Sequence, residues 1–103
     1  MAKVAIMMGS ASDQDYFVPA KELLDYFGIT YEVKILSAHR TPEATADFAR
    51  SAESNGFSLI IAGAGMAAHL PGVVASYTAL PVIGVPLPGS ALNGVDALYA
   101  IVQ

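Results

Sequence analysis

Short apolar runs alternate along the chain with longer stretches in which apolar residues recur every three or four positions. Polar, glycine-rich segments separate the two. Lys3 to Met8 reads as an apolar strand, and Gly9-Ser10-Ala11-Ser12-Asp13 follows it. Phe17, Ala20, Leu24 and Phe27 then form a helical stripe, which Gly28 stops. Pro19 lies inside that stripe, so the helix either kinks there or starts late enough to place the proline in its first turn. Thr30 to Leu36 reads as a second strand. Thr41-Pro42-Glu43 reads as a helix start, with Thr41 as N-cap and Pro42 at the first helical position. The inward face of this helix is Thr45, Phe48, Ala49 and Ala52, and Asn55-Gly56 ends it. Ser58 to Ala62 is a third strand. Gly63-Ala64-Gly65 reads as a tight loop before a small-residue helix reaching about Ala79. Pro81 to Val85 is a fourth strand, Pro86 to Ser90 a loop, and Asn93 to Gln103 a helix with Val95, Leu98, Ile101 and Val102 on one side.

The predicted order is therefore βαβαβαβα, in one α/β domain over residues 1–103. Strands this short and this apolar on both faces belong in a parallel sheet covered by helices. Right-handed crossovers and sequential pairing give a three-layer αβα, flavodoxin-like (Rossmann-like) sheet with strand order 2-1-3-4. In such a sheet ligands bind outside the carboxyl ends of the strands. The segments there are Gly9 to Asp13, Ser37 to Pro42, Gly63 to Gly72 and Pro86 to Gly94. They hold His39, His69 and Arg40 in a chain with two histidines and five Lys or Arg.

Composition narrows the class. The chain is 54% hydrophobic and 14% charged over 103 residues, too apolar for disorder. It is also very apolar for a lone small domain, which implies burial against other subunits. No apolar run approaches the length of a membrane span, and Met1-Ala2-Lys3-Val4 leads straight into a strand rather than a signal peptide. The expected location is cytoplasmic. There are no cysteines, hence no disulfide or thiolate chemistry. A net charge of −4 argues against nucleic acid and anionic membranes as partners. An anionic ligand needs a local attractor.

Gly9 lets backbone approach a ligand, Ser10 and Ser12 supply hydroxyls, and the following helix start presents free N–H groups. Asp13 repels a phosphate but suits a sugar hydroxyl; the alternative is that Ser12 or Asp13 is only an N-cap. Arg40 can grip phosphate through paired hydrogen bonds. A histidine such as His39 can move a proton near neutral pH; the alternative is a surface histidine packed on Pro42. Gly63-Ala64-Gly65-Met66-Ala67-Ala68 matches G-x-G-x-x-A, but it follows the third strand and lacks an acidic ribose anchor, which disfavours a dinucleotide. His69 either faces a ligand or satisfies a backbone carbonyl, the second being the more ordinary use. His39 and His69 stand isolated in sequence, without metal-ligand spacing. A Walker lysine, a nucleophile elbow and a phosphoacceptor aspartate are all missing.

Four segments, "MGSASD", "SAHRTP", "AGAGMAAHLPG" and "GVDALYAIVQ", together resemble the family of the catalytic subunit of bacterial phosphoribosylaminoimidazole carboxylase, the N5-carboxyaminoimidazole ribonucleotide mutases. The match runs in order along the whole chain. The resemblance implies an enzyme of purine biosynthesis without cofactor or metal. It would move a carboxyl group from the exocyclic nitrogen to a ring carbon of an aminoimidazole ribonucleotide, in a homo-octamer. Carried over, Ser10 and Arg40 would hold the phosphate, Asp13 the ribose, and His39 would be the general acid–base. Gly9, Ser37, Gly65, Met66 and His69 would surround the substrate. The chain departs from the family at Met66, where glycine is usual, and in the wording of "PLPGSALNG". Its final "IVQ" stands where the family continues through another strand and helix. Two other readings carry weight: a related carboxylase that uses free carbon dioxide, whose members have lysine and glycine where this chain has Arg40-Thr41, and a non-catalytic nucleotide-binding module.

Overall fold

A computed structural model describes residues 2–103. Four strands, β1 (Lys3–Met8), β2 (Thr30–Ile35), β3 (Leu59–Gly65) and β4 (Val82–Leu87), form one parallel sheet in the order β2-β1-β3-β4. The helices are α1 (Val18–Tyr26), α2 (Pro42–Ser51), α3 (Leu70–Tyr77) and α4 (Val95–Val102). β1 is central and buried from Val4 through Met8, so both of its faces must be apolar, and both are.

Alternation along β1 and β3 divides the core into two layers. Ala5, Met7, Ile60 and Ala62 face Ala49 of α2 and Leu70 and Val74 of α3, with Ala52 and Phe57 alongside. Ile6 and Met8 face the other way, onto Phe17 and Leu87. The stripe read from Phe17 to Phe27 holds only in part. Phe17 is 2% exposed, but Phe27 is 65% exposed. The segment Ala11–Phe17 is a 3-10 helix, and α1 begins only after it. A 3-10 helix turns 120° per residue rather than 100°, so a stripe counted at one period drifts off the sheet. Pro19 lies in the first turn of α1, the second of the two arrangements its position allowed.

Gly63-Ala64-Gly65 is not a loop. β3 runs through it, pairing Gly63 with Met8 on one side and Gly65 with Leu87 on the other. Glycine is required at 63 by packing rather than turning, because a Cβ there would overlap the Phe17 ring. β4 likewise extends past Val85 to Leu87. Among the described residues β4 has a ladder partner only on its β3 side, which leaves room for Pro86 within it. The third helix is shorter than expected, starting at Leu70 and ending before the extended Thr78. Pro81 also disfavours a helical conformation at Leu80.

Candidate active site

The carboxyl ends of the strands open onto a cavity of about 690 Å³. Gly9, Ser10, Asp13, Ser37, His39, Arg40, Gly65, Met66 and His69 all line it, so the residues that the resemblance assigns to the site reach one space. Each arrives there for a local reason.

Ser10 caps the 3-10 helix, its Oγ accepting from the Ser12 N–H at 3.3 Å and lying 2.9 Å from Ser12 Oγ. The cap is therefore Ser10, not Ser12 or Asp13, and the Asp13 carboxylate is left to face the cavity. Burial raises the Asp13 carboxyl above its ordinary range, and the Arg40 charge beside it pulls it partway back. A carboxyl with a raised folded-state pKa contributes stability that is fully present below its unfolded value and is lost as pH rises through the folded value. Charged Asp13 thus costs stability at neutral pH. Asp13→Asn is expected to melt higher than the parent at pH 7, with the difference closing below the ordinary value of 3.8. Thermal melts across that range check it, and a lower melting point at pH 7 would contradict it.

The loop after β2 is built on Ser37. Its Oγ accepts from the N–H groups of His39 at 3.3 Å and Arg40 at 3.1 Å. The Ser37 N–H donates to Thr41 Oγ1 at 2.8 Å, and its carbonyl accepts from the Thr41 and Thr45 hydroxyls at 3.1 and 3.2 Å. Thr41 stands at the N-cap position of α2 but makes no side-chain cap bond to the helix; its hydroxyl is turned back to the loop instead. Thr45 is fully buried, and its hydroxyl is satisfied there. Sequence reasoning gave Thr45 only a place on an inward face. A hydroxyl in an otherwise apolar stripe was the available signal that something polar lay beneath.

Arg40 crosses to the first loop, where Nη2 donates to the Gly9 carbonyl at 2.6 Å. At Gly9 itself a Cβ would meet only Ser37, at an ordinary 3.9 Å, so nothing within the chain forces glycine there. His39 is not packed away. Its Nε2 lies 2.9 Å from His69 Nδ1, with the rings edge to face at 5.0 Å between centroids. The two histidines that looked isolated are therefore partners, and His69 serves a side chain rather than a backbone carbonyl. Among the described residues, no group of three or more His, Cys, Asp or Glu is placed to hold a metal ion.

Met66 has φ 52° and is 61% exposed at the cavity rim. That left-handed conformation costs a residue with a Cβ about 1 kcal/mol, a cost that glycine would not carry. Tyr16 was missed. It follows Asp13 by three residues, one turn of a 3-10 helix, so the two side chains are eclipsed. Both line the cavity, and the Tyr16 hydroxyl donates to the Pro88 carbonyl at 2.8 Å. That bond ties the first loop to the loop after β4.

A parallel α/β sheet whose carboxyl edge gathers an imidazole pair, a guanidinium and a carboxylate around one cavity defines a flavodoxin-like protein with a candidate ligand site at that edge. Residues 3–103 match the family model described as AIR carboxylase, and the chain belongs to that family. It is 58% identical, over its whole length, to a protein of Saccharolobus solfataricus named N5-carboxyaminoimidazole ribonucleotide mutase, covering 65% of that relative. A Thermotoga maritima protein of the same name is 57% identical over 103 residues, of which the chain covers 60%. The chain thus spans somewhat less than two thirds of the curated relatives it matches. The crystal structure of Treponema denticola PurE superposes with a TM-score of 0.89 at 31% identity, over 100% of this chain and 65% of that one. Among the described residues, no helix is long and apolar enough to cross a membrane.

Proposed function

We propose that this chain carries the catalytic edge of an N5-carboxyaminoimidazole ribonucleotide mutase. The observation that carries the proposal is the convergence of His39, His69, Arg40 and Asp13 on one cavity. In this reading Ser10 and Arg40 take the phosphate, Asp13 accepts from the ribose hydroxyls, and His39 is the general acid–base. Gly9, Ser37, Gly65, Met66 and His69 enclose the ring. His39 gives a proton to the exocyclic nitrogen as its bond to the carboxyl carbon breaks and carbon dioxide leaves. The ring carbon then attacks the trapped carbon dioxide, and His39 takes back the proton displaced from that carbon. Protons balance over the cycle, and no step in it consumes an oxidant, a reductant or an activated carrier. The cavity's work is to keep the fragments together and exclude water.

The working protein is a cytoplasmic homo-oligomer, an octamer by family likeness. Large apolar side chains such as Tyr26, Phe27, Ile83 and Tyr99 are half or more exposed, a surface that packing between copies would cover.

The test follows carbon. Labelled bicarbonate in the buffer should enter the product poorly, and turnover should persist in chelator without ATP or biotin. Efficient uptake of label would favour the carboxylase that uses free carbon dioxide. Nucleotide binding without turnover would favour a non-catalytic module. Met66→Gly should keep or improve retention of carbon if the methionine only crowds the rim.

A further inference from the structure

The bond between His39 Nε2 and His69 Nδ1 has a consequence for how the acid–base group works. Two imidazole nitrogens 2.9 Å apart share one hydrogen, so the proton state of each ring is tied to that of the other. When His39 carries both protons, its Nε2–H must donate, and His69 must accept through a bare Nδ1. His69 then holds its own proton on Nε2. In the neutral pair the bond can run either way, from His39 Nε2–H to His69 Nδ1 or the reverse; in the first arrangement, the proton that His39 gives up is the one on Nδ1.

We propose that His69 is a positioning residue that keeps the Nε2 proton of His39 in place, so that His39 Nδ1 is the single atom that both gives and takes the proton during the reaction. This rests on the mutase reading above. It assigns His69 a different task from enclosing the ring: it is the backstop that a carboxylate provides for histidine in other acid–base sites, supplied here by a neutral ring. A single shuttling atom suits a reaction whose donor step and acceptor step occur at neighbouring atoms of one substrate, since the imidazole need not turn over between them. The remaining titratable or charged side chains lining the cavity are Asp13 and Tyr16 from the 3-10 helix and Arg40 from the loop of His39 itself; the β3 and β4 segments contribute none besides His69. Among the described residues, His69 is the side chain placed to accept the Nε2 proton.

Two measurements test it. The first is nitrogen NMR on the intact protein with 15N-labelled histidine. Neutral His39 should show a protonated Nε2 and a bare Nδ1, and His69→Leu should scramble that preference. A neutral His39 protonated on Nδ1 would overturn the proposal, whatever the protein's activity. The second is kinetic. His69→Leu should lower kcat by about tenfold to a hundredfold, part of the total that proton transfer contributes. It should leave KM within about threefold, a change of well under one factor of ten in binding. The alkaline limb of its pH–rate profile should move to lower pH, because doubly protonated His39 has lost its acceptor. His69→Asn places an amide oxygen near the lost Nδ1 and should recover most of the rate and the profile. Equal loss in both variants, with an unmoved profile, would reduce His69 to a wall of the cavity. An inactive parent protein would overturn the mutase reading and leave the NMR result to decide the tautomer.

Discussion

His39→Asn is expected to lower turnover by about 10²- to 10⁴-fold, the range that a positioned proton-transfer group contributes. Affinity for the ribonucleotide should change by less than about tenfold, which is roughly 1.4 kcal/mol. The asymmetry follows from the structure. The His39 backbone is fixed by its own N–H to Ser37 Oγ, independently of the ring. Arg40 is fixed the same way, by its N–H to Ser37 Oγ and its guanidinium to the Gly9 carbonyl. Asparagine keeps a polar side chain against His69 and leaves the loop intact, yet it cannot accept and return a proton. Steady-state kinetics with a parallel binding titration checks both halves. Parent-like turnover would remove His39 from the chemistry. Turnover and affinity lost together would mean that the substitution had disturbed the loop.

How much of this was visible in the sequence depends on the range of the interactions. Strand order followed from short apolar runs and crossover rules, because β1 is buried on both faces and no polar residue interrupts Val4 to Met8. The placing of the candidate site at the carboxyl edge rests on topology alone. Errors arose where one residue type serves two physical ends. Gly63 and Gly65 read as a turn because glycine usually marks one, but the Phe17 ring lying over Gly63 comes from a segment 46 positions earlier, and no local pattern reports that. Thr41 read as a helix cap because of its position before Pro42; its hydroxyl goes instead to Ser37, a choice set by the loop's own unpaired groups. The pairing of His39 with His69 spans 30 positions and depends on the registers of β2 and β3 against β1 between them. Met66 was legible as a departure from a family pattern, but its strain was legible only once φ was known. Thr45 was correctly placed on the inward face of its helix, but its bond to the Ser37 carbonyl was not read; Tyr16 was not singled out, since its place beside Asp13 follows from a 3-10 turn.

Arg40→Ala is expected to weaken binding of the ribonucleotide by about tenfold to a hundredfold, since a hydrogen bond to a charged group contributes about 1.5–3 kcal/mol. The chain carries a net charge of −4, so an anion approaches against the overall field and depends on this one guanidinium at the rim. The loss should shrink as salt is added, because a partly exposed charge is screened. Arg40→Lys should recover only part of it, because a point charge cannot reproduce two parallel donors. Folding stability should change little, since the bond to the Gly9 carbonyl lies at an exposed position. Asp13 should respond as well: with Arg40 gone, nothing offsets the effect of burial, and its carboxyl rises further. The deciding comparison is between the ribonucleotide and the same ligand without its phosphate, titrated into parent and variant. If Arg40 holds the phosphate, the two proteins should bind the dephosphorylated ligand alike, and the whole difference should belong to the phosphorylated one. An equal loss on both ligands would place the phosphate elsewhere and leave Arg40 as the strut that joins the loop of His39 to Gly9.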